Sequence, residues 1–277
     1  RIIIDNHQVR GVELAGGDGD PVWSGVRDYG NPSMRRMNLT VPLDVPAAGY
    51  RELVVKLPSP MLDEAGTAAL AKLDYAAARA ETLKFWAGWV EKGAQFEVPE
   101  KVVNDLFRAS LWHALRLPRR HGATGDVRID LPYSNFAYSQ NGTPWPVNQA
   151  VYVDYMLFGL RGYGDVAAEE LRAQYRNNQE LNGHVSGYAN WVVYTPGMLY
   201  ATAQNYLLSG DRAALDRVLP QSMKALDWCM EQVRAAERRE GPAKGLVSGP
   251  LNDGTGDGVW AFNQAYMYAG LELFGKV

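Results

Sequence analysis

The rhythm of hydrophobic and polar positions changes once along this chain, close to residue 60. Before it, apolar residues come in short runs: Ile2-Ile3-Ile4, a loose alternation from Val9 to Leu14, Asn38-Leu39-Thr40-Val41-Pro42-Leu43, and Tyr50-Arg51-Glu52-Leu53-Val54-Val55-Lys56-Leu57. β-Branched runs bounded by Pro, Gly and Ala turns predict strands. The last two flank Asp44-Val45-Pro46-Ala47-Ala48-Gly49 and predict an antiparallel pair. The segment is too short for a whole sandwich. After Pro58-Ser59-Pro60 the apolar period lengthens from two to about 3.6 residues, the period of a helix. A first helix is predicted over 70–90, with Trp86 and Trp89 near its end. A second begins at Val98-Pro99-Glu100, where Pro suits a first helical turn, and runs to about 117 with Val103, Leu106, Phe107, Ser110 and Ala114 on one face. Others follow over 146–160, 165–177 and 195–208, then from an Asp211 cap to about 238, and after Gly258 to the last residue.

The connections alternate in length. Those over 118–145, 182–191 and 241–258 are long and rich in Gly, Asn, Asp and aromatics, whereas Arg161-Gly162-Tyr163-Gly164 and Ser209-Gly210 are tight. A toroid of helical hairpins behaves in this way, with long loops at one mouth and short turns at the other. Functional residues concentrate where the loops are long. A helical-repeat solenoid is the alternative, but no fixed period supports it.

Composition narrows the function classes. The 277 residues carry a net charge of -3, without the basic footprint of a nucleic-acid binder. The one cysteine, Cys229, lies in an apolar helical run and excludes an internal disulfide or a thiolate metal cluster. No apolar run reaches the roughly 18 residues of a membrane-spanning helix, and no signal peptide is visible. The chain starts at Arg1 and stops at Val277 within a predicted helix, so it reads as a piece of a longer protein.

The stretch Gly249-Pro250-Leu251-Asn252-Asp253-Gly254-Thr255-Gly256-Asp257-Gly258-Val259-Trp260 carries the strongest chemical signal. Cleaving a glycosidic bond needs a proton donor for the leaving oxygen and a second carboxylate. A carboxyl among aromatic rings at a helix start suits the donor, because desolvation raises its pKa. Asp253 and Asp257 are the candidates. Structurally, Asp257 could instead cap the last helix and Asp253 could make an Asx turn. A calcium loop fits poorly, since Gln264 stands where a bidentate Glu is needed. The other long loops offer Tyr133, Asn135, Phe136, Tyr138, Trp145 and Asn148, and His184, Tyr188, Asn190, Trp191 and Tyr194. Flat rings edged by amides match the apolar faces and hydroxyl rims of sugars, although any one ring could be a core anchor. No His spacing suggests zinc, Ser186 lacks a nucleophile-elbow context, and no phosphate-binding Gly-Lys loop occurs.

At these residues the chain resembles the six-hairpin glycosidases, the group with glucoamylase-, trehalase- and α-rhamnosidase-like catalytic domains. Ala80, Glu81, Leu83, Phe85, Trp86 and Trp89, then Phe96, Val98, Pro99, Glu100, Val103 and Asn104, look like their linker helix and first barrel helix. Trp145, Asn148 and Asp154 resemble the start of the first inner helix, and Tyr188-Ala189-Asn190-Trp191 that of the second. Gly249-Pro250-Leu251-Asn252-Asp253, with 257–271, resembles the general-acid loop and the third inner helix. The resemblance implies a mostly α fold: a partial (α/α)6 toroid of about three hairpins over 98–277, a linker helix over 61–97, and the end of an antiparallel β-sandwich over 1–60. It implies an inverting glycoside hydrolase with Asp253 as general acid, although no Glu lies between Gly241 and Gly258. Trp145, Asn148, Tyr188, Trp191, Tyr194, Asn252 and Asp257 would line the sugar subsite. The base would lie in a missing second half, so this piece alone is expected to be inactive. The expected partner is a carbohydrate, with no cofactor, metal, nucleic acid or membrane. A glycoside phosphorylase or a non-catalytic glycan-binding toroid are the alternatives.

Overall fold

The computed structural model describes residues 4–5, 8–9, 14–15, 22–27, 36–40, 42, 44–51, 54–56, 63–115, 118–120, 127–129, 150–186, 191–250 and 256–277. They are mostly α-helical and divide into two compact units, Arg1–Phe85 and Trp86–Val277.

In the first unit the β runs form two-stranded antiparallel pairs. β1 (Ile4–Asp5) pairs with β2 (Gln8–Val9), β3 (Leu14–Ala15) with β6 (Val54–Val55), and β4 (Val22–Arg27) with β5 (Arg36–Thr40). Among the described residues the pair expected between the runs at 38–43 and 50–57 is therefore not made. Pro42 follows closely on the end of β5, and a proline has no N–H to give a ladder. The intervening 44–51 segment closes on itself: Gly49 N–H donates to Pro46 O at 3.0 Å, and Arg51 Nε to Asp44 O at 3.0 Å.

The single helix expected over 70–90 is two, α1 (Glu64–Lys72) and α2 (Tyr75–Lys92). Each has its own N-terminal cap. Asp63 Oδ1 accepts from Gly66 N–H at 2.7 Å, and Asp74 Oδ1 from Ala77 N–H at 2.8 Å. Asp74 restarts the helix where an alanine-rich pattern reads straight on.

The second unit continues with α3 (Lys101–Leu115), whose start is tied by Asn104. Its side chain accepts from Val98 N–H at 2.9 Å and donates to Val98 O at 2.7 Å. Of the face predicted for this helix, Val103 and Leu106 are exposed, and the buried residues are Leu111, Ala114 and Leu115. Within the stretch read as loop, β7 (Pro118–Arg120) pairs antiparallel with β8 (Val127–Ile129). Next comes α4 (Val151–Phe158), a π-helix. Ala150 O accepts from both Asp154 N–H at 2.9 Å and Tyr155 N–H at 3.0 Å, which marks the wider winding. The sequence of α4 is apolar on nearly every side, so its pattern could not separate this winding from an ordinary helix.

After α4, a short 3₁₀ turn leads to Gly162 at φ 85°, and then α5 (Gly164–Asn178) begins. α6 (Tyr194–Ser209) ends at Gly210 with φ 67°, a left-handed C-cap that glycine takes without strain. Asp211 caps α7 (Arg212–Glu237), accepting from Ala214 N–H at 2.9 Å. The predicted tight turns and the Asp211 cap thus stand where the sequence puts them. β9 (Ser248–Pro250), β10 (Asp257–Val259) and α8 (Ala261–Phe274) complete the unit.

α6 is the centre of this unit. Residues Tyr194, Thr195, Pro196, Gly197, Met198 and Leu199 are all buried, as are Ala201, Thr202 and Ala203. A helix apolar on every side must be covered on every side, and α6 packs against α4, α5, α7 and α8. Met198 and Leu199, at 0% exposure, each gain roughly 1.5–3 kcal/mol from burial. They join Leu171, Tyr175, Ala225, Cys229, Met267 and Phe274 in the larger core cluster. A second cluster joins Leu111 and Ala114 of α3 to Val153 and Phe158 of α4, with Tyr163 and Ala167. Tyr163 donates from its hydroxyl to Trp89 O at 2.6 Å, which ties the end of α2 to the α4–α5 turn.

Candidate functional site

The starts of α6 and α8 lie side by side. Trp191, Val193 and Tyr194 form a buried cluster with Phe262 and Tyr266 packed against it. The Trp191 and Tyr194 rings are 5.1 Å apart, and those of Phe262 and Tyr266 4.7 Å apart. Between the end of α7 and the start of α8 the chain makes a hairpin that the sequence pattern did not suggest. Asp257 pairs with Pro250, Gly258 with Gly249, and Val259 with Ser248. The hairpin is pressed against the start of α6: a Cβ on Gly249 would lie 2.2 Å from Val192 Cγ2. Two of the three long connections therefore meet at one place.

Asp257 is exposed, the first residue of β10. It does not cap α8, whose N-cap is Trp260 with no side-chain cap bond. The reason is the hairpin, which uses the backbone of 257–259 in a ladder and delays the helix to Ala261. Trp191 and Tyr194 are buried, at 6% and 3% exposure. Trp260 and Tyr152, at 37% and 47%, are exposed. Burial above all raises the Tyr266 pKa, and Tyr152 adds to the rise. Trp145, Asn148, Tyr188, Asn252 and Asp253 lie outside the described residues.

His184 is not a free loop imidazole. It is buried, its Nδ1 lies 2.9 Å from Thr195 Oγ1, and its ring stacks on Trp228 at 4.5 Å. Burial lowers its pKa, against a smaller upward pull from Glu180. Burial also pushes the Cys229 thiol far up, which removes it as a nucleophile. Among the described residues no group of three or more His, Cys, Asp or Glu could hold a metal. No helix among them is long and apolar enough to cross a membrane.

Four buried polar residues, Asn263, Asp154, Gln174 and Glu170, escaped the sequence patterns as candidates. Asn263, fully buried on α8, has neither amide atom hydrogen-bonded among the described residues. Asp154 of α4, 1% exposed, accepts from Gln174 Nε2 at 2.9 Å, while its Oδ1 and Gln174 Oε1 have no hydrogen-bond partner among the described residues. Burial, then the charge of buried Glu170, hold the Asp154 carboxyl well above the usual carboxylate range, and the Gln174 bond offsets part of this. π-Helical turns occur often at functional sites, and this one carries a stored acid.

That acid sets a pH dependence. A carboxyl with a raised folded-state pKa binds more protons folded than unfolded, so stability falls as pH rises from its unfolded value through its folded value. Asp154→Asn is expected to flatten that slope from about pH 4, the usual unfolded-state value, upward, and to stabilise the protein near neutral pH. Urea titrations across that range check it; a destabilised variant with an unchanged slope would contradict it.

Comparison with protein-family models, with curated proteins and with solved structures finds no match to this chain.

Proposed function

We propose that this chain is part of a glycoside hydrolase of the inverting type, with Asp253 as general acid. The observation that carries the reading is the β9–β10 hairpin. It holds Pro250 and Asp257 together as neighbours, so the connection bearing Asp253 starts and ends beside the aromatic cluster at the starts of α6 and α8. The packing of α6 on α4 and α8, with α5 and α7 also against it, supports a toroid with α4, α6 and α8 inside and α3, α5 and α7 outside. The short antiparallel pairs of the first unit support the end of a β-sandwich ahead of it.

In the proposed reaction Asp253 gives its proton to the glycosidic oxygen as the bond from that oxygen to the anomeric carbon breaks. A second carboxylate takes a proton from the water that attacks this carbon from the opposite face. Room for that water requires the carboxyls to be about 6.5–9.5 Å apart. The test is the product formed by the full-length protein from aryl glycosides and oligosaccharides, followed by NMR with and without phosphate. Free sugar of inverted anomeric configuration in phosphate-free buffer is the expected result. A sugar phosphate formed only with phosphate present would make the protein a phosphorylase, and sugar binding without turnover would make it a glycan-binding toroid.

A further inference from the structure

We propose that His184 and Thr195 form a proton-sensitive latch: the neutral imidazole fastens the 179–186 turn to the start of α6, and protonation of the ring releases it. This latch is independent of the glycosidase reading above.

The turn leaves the end of α5 and folds back on itself. Glu180 N–H donates to His184 O at 2.8 Å, Gly183 N–H to Glu180 O at 3.0 Å, and His184 N–H to Asn182 Oδ1 at 2.8 Å. Gly183 has φ 94° and lies against α7, where a Cβ would stand 2.1 Å from Lys224 O. The His184 ring is thereby set between two helices. Its face stacks on Trp228 of α7, with 4.5 Å between the rings, and its Nδ1 lies 2.9 Å from Thr195 Oγ1 of α6. Thr195 follows Tyr194 of the aromatic cluster, so the latch ties the turn to the place where α6 starts beside α8.

The direction of the His184–Thr195 bond follows from the hydrogens available. Thr195 Oγ1 already accepts from Val185 N–H at 3.0 Å. Thr195 is 0% exposed, and its hydroxyl has no further partner among the described residues. The hydroxyl hydrogen therefore has one acceptor, the lone pair of Nδ1, and the neutral ring carries its own hydrogen on Nε2. Protonation adds a hydrogen at Nδ1. Oγ1 then faces two N–H groups, and its own hydrogen is left buried without an acceptor. Two groups favour the charged ring: Glu180 on the same turn and the face of Trp228. Burial of the ring opposes them and outweighs Glu180, and the orphaned hydroxyl acts in the same direction as burial. Of the other ionisable groups on these elements, Arg176 near the end of α5 and Lys224 and Asp227 of α7 are exposed, and Tyr194 of α6 is buried.

An opened turn returns the ring to water and to a pKa of about 6.5. The closed ring titrates lower, so opening is indifferent to pH above that value and grows as pH falls below it. The amide of Val185 reports on the latch directly, since Thr195 Oγ1 is its partner. In the full-length protein, hydrogen exchange at Val185, corrected for the intrinsic effect of pH, is expected to be flat from pH 8 to 7. Its opening constant should then rise by up to about tenfold per unit below pH 6.5. His184→Asn keeps an acceptor near the place of Nδ1 and does not titrate, so it is expected to remove the rise. No rise in the wild-type protein, or an equal rise in the variant, would overturn the latch. Should the variant fail to fold, histidine ¹⁵N spectra of the wild-type protein decide, on the ring in contact with Trp228. An Nε2–H tautomer that titrates below pH 6.5 is expected. An Nδ1–H tautomer, or titration at or above pH 6.5, would overturn the proposal.

Discussion

Asp253→Asn is expected to lower kcat on glycosides with poor leaving groups by about 10²–10⁴-fold, the usual worth of a positioned general acid. The change swaps one oxygen for an amide nitrogen of nearly the same size, so sugar binding and KM should hold. What is lost is the ionisable proton. Two secondary effects follow from that loss. The alkaline limb of the wild-type pH–rate profile, set by deprotonation of the acid, should disappear in the variant. A dinitrophenyl glycoside should be cleaved at close to the wild-type rate. The melting transition should not move, because the hairpin is held by its stem: Gln264 and Arg239 bind residues 246–248, and Gly249 packs on Val192. An active variant with an unchanged pH profile would move the acid to Asp257, the exposed residue at the start of β10.

The largest effect on stability is expected from Gly270→Ala. Gly270 lies where α8 meets α6, and a Cβ there would stand 2.4 Å from Pro196 O, 2.9 Å from its C and 3.0 Å from its Cα. All three are backbone atoms, so no side chain can rotate away and the two helices must part. Because α6 lies at the centre of the core, that separation disturbs its packing with other helices as well. The expected loss is about 3 kcal/mol, or roughly 6–12 °C in Tm for a unit of this size. Gly88→Ala is the matched control. It lies inside α2 with nothing within 4 Å of the added Cβ, so helix propensity should give a gain of roughly 0.5–1 kcal/mol. Thermal melts of both variants check the pair. A Gly270 variant as benign as the Gly88 one would contradict the close approach of α6 and α8.

Where local chemistry decides structure, the sequence was enough. Asp211 caps α7 through its own side chain, and Gly210 and Gly162 take positive φ at the two short turns. Such features are set within a few residues. α4 was harder, because Val-Tyr-Val-Asp-Tyr-Met-Leu-Phe is apolar in almost every direction and its winding depends on what surrounds it. The β9–β10 hairpin was hidden for a different reason. Its glycines suggest a loop, and what holds it are groups distant in sequence: Gln264 is 17 residues from Val247, and Val192 lies in another connection. The same non-locality hides that Asp257 opens a strand rather than capping α8, and that Trp191 and Tyr194 pack against a neighbouring helix start. Asp154 drew notice only for its place near a helix start; its chemistry comes from burial beside Gln174 and Glu170 on α5.

The measurement that tests the central claim most directly is release of reducing ends from a panel of oligosaccharides and aryl glycosides by the full-length protein in phosphate-free buffer. The account predicts release from at least one of them. No release from any, by a protein whose circular dichroism and melting transition show it to be folded, would contradict it.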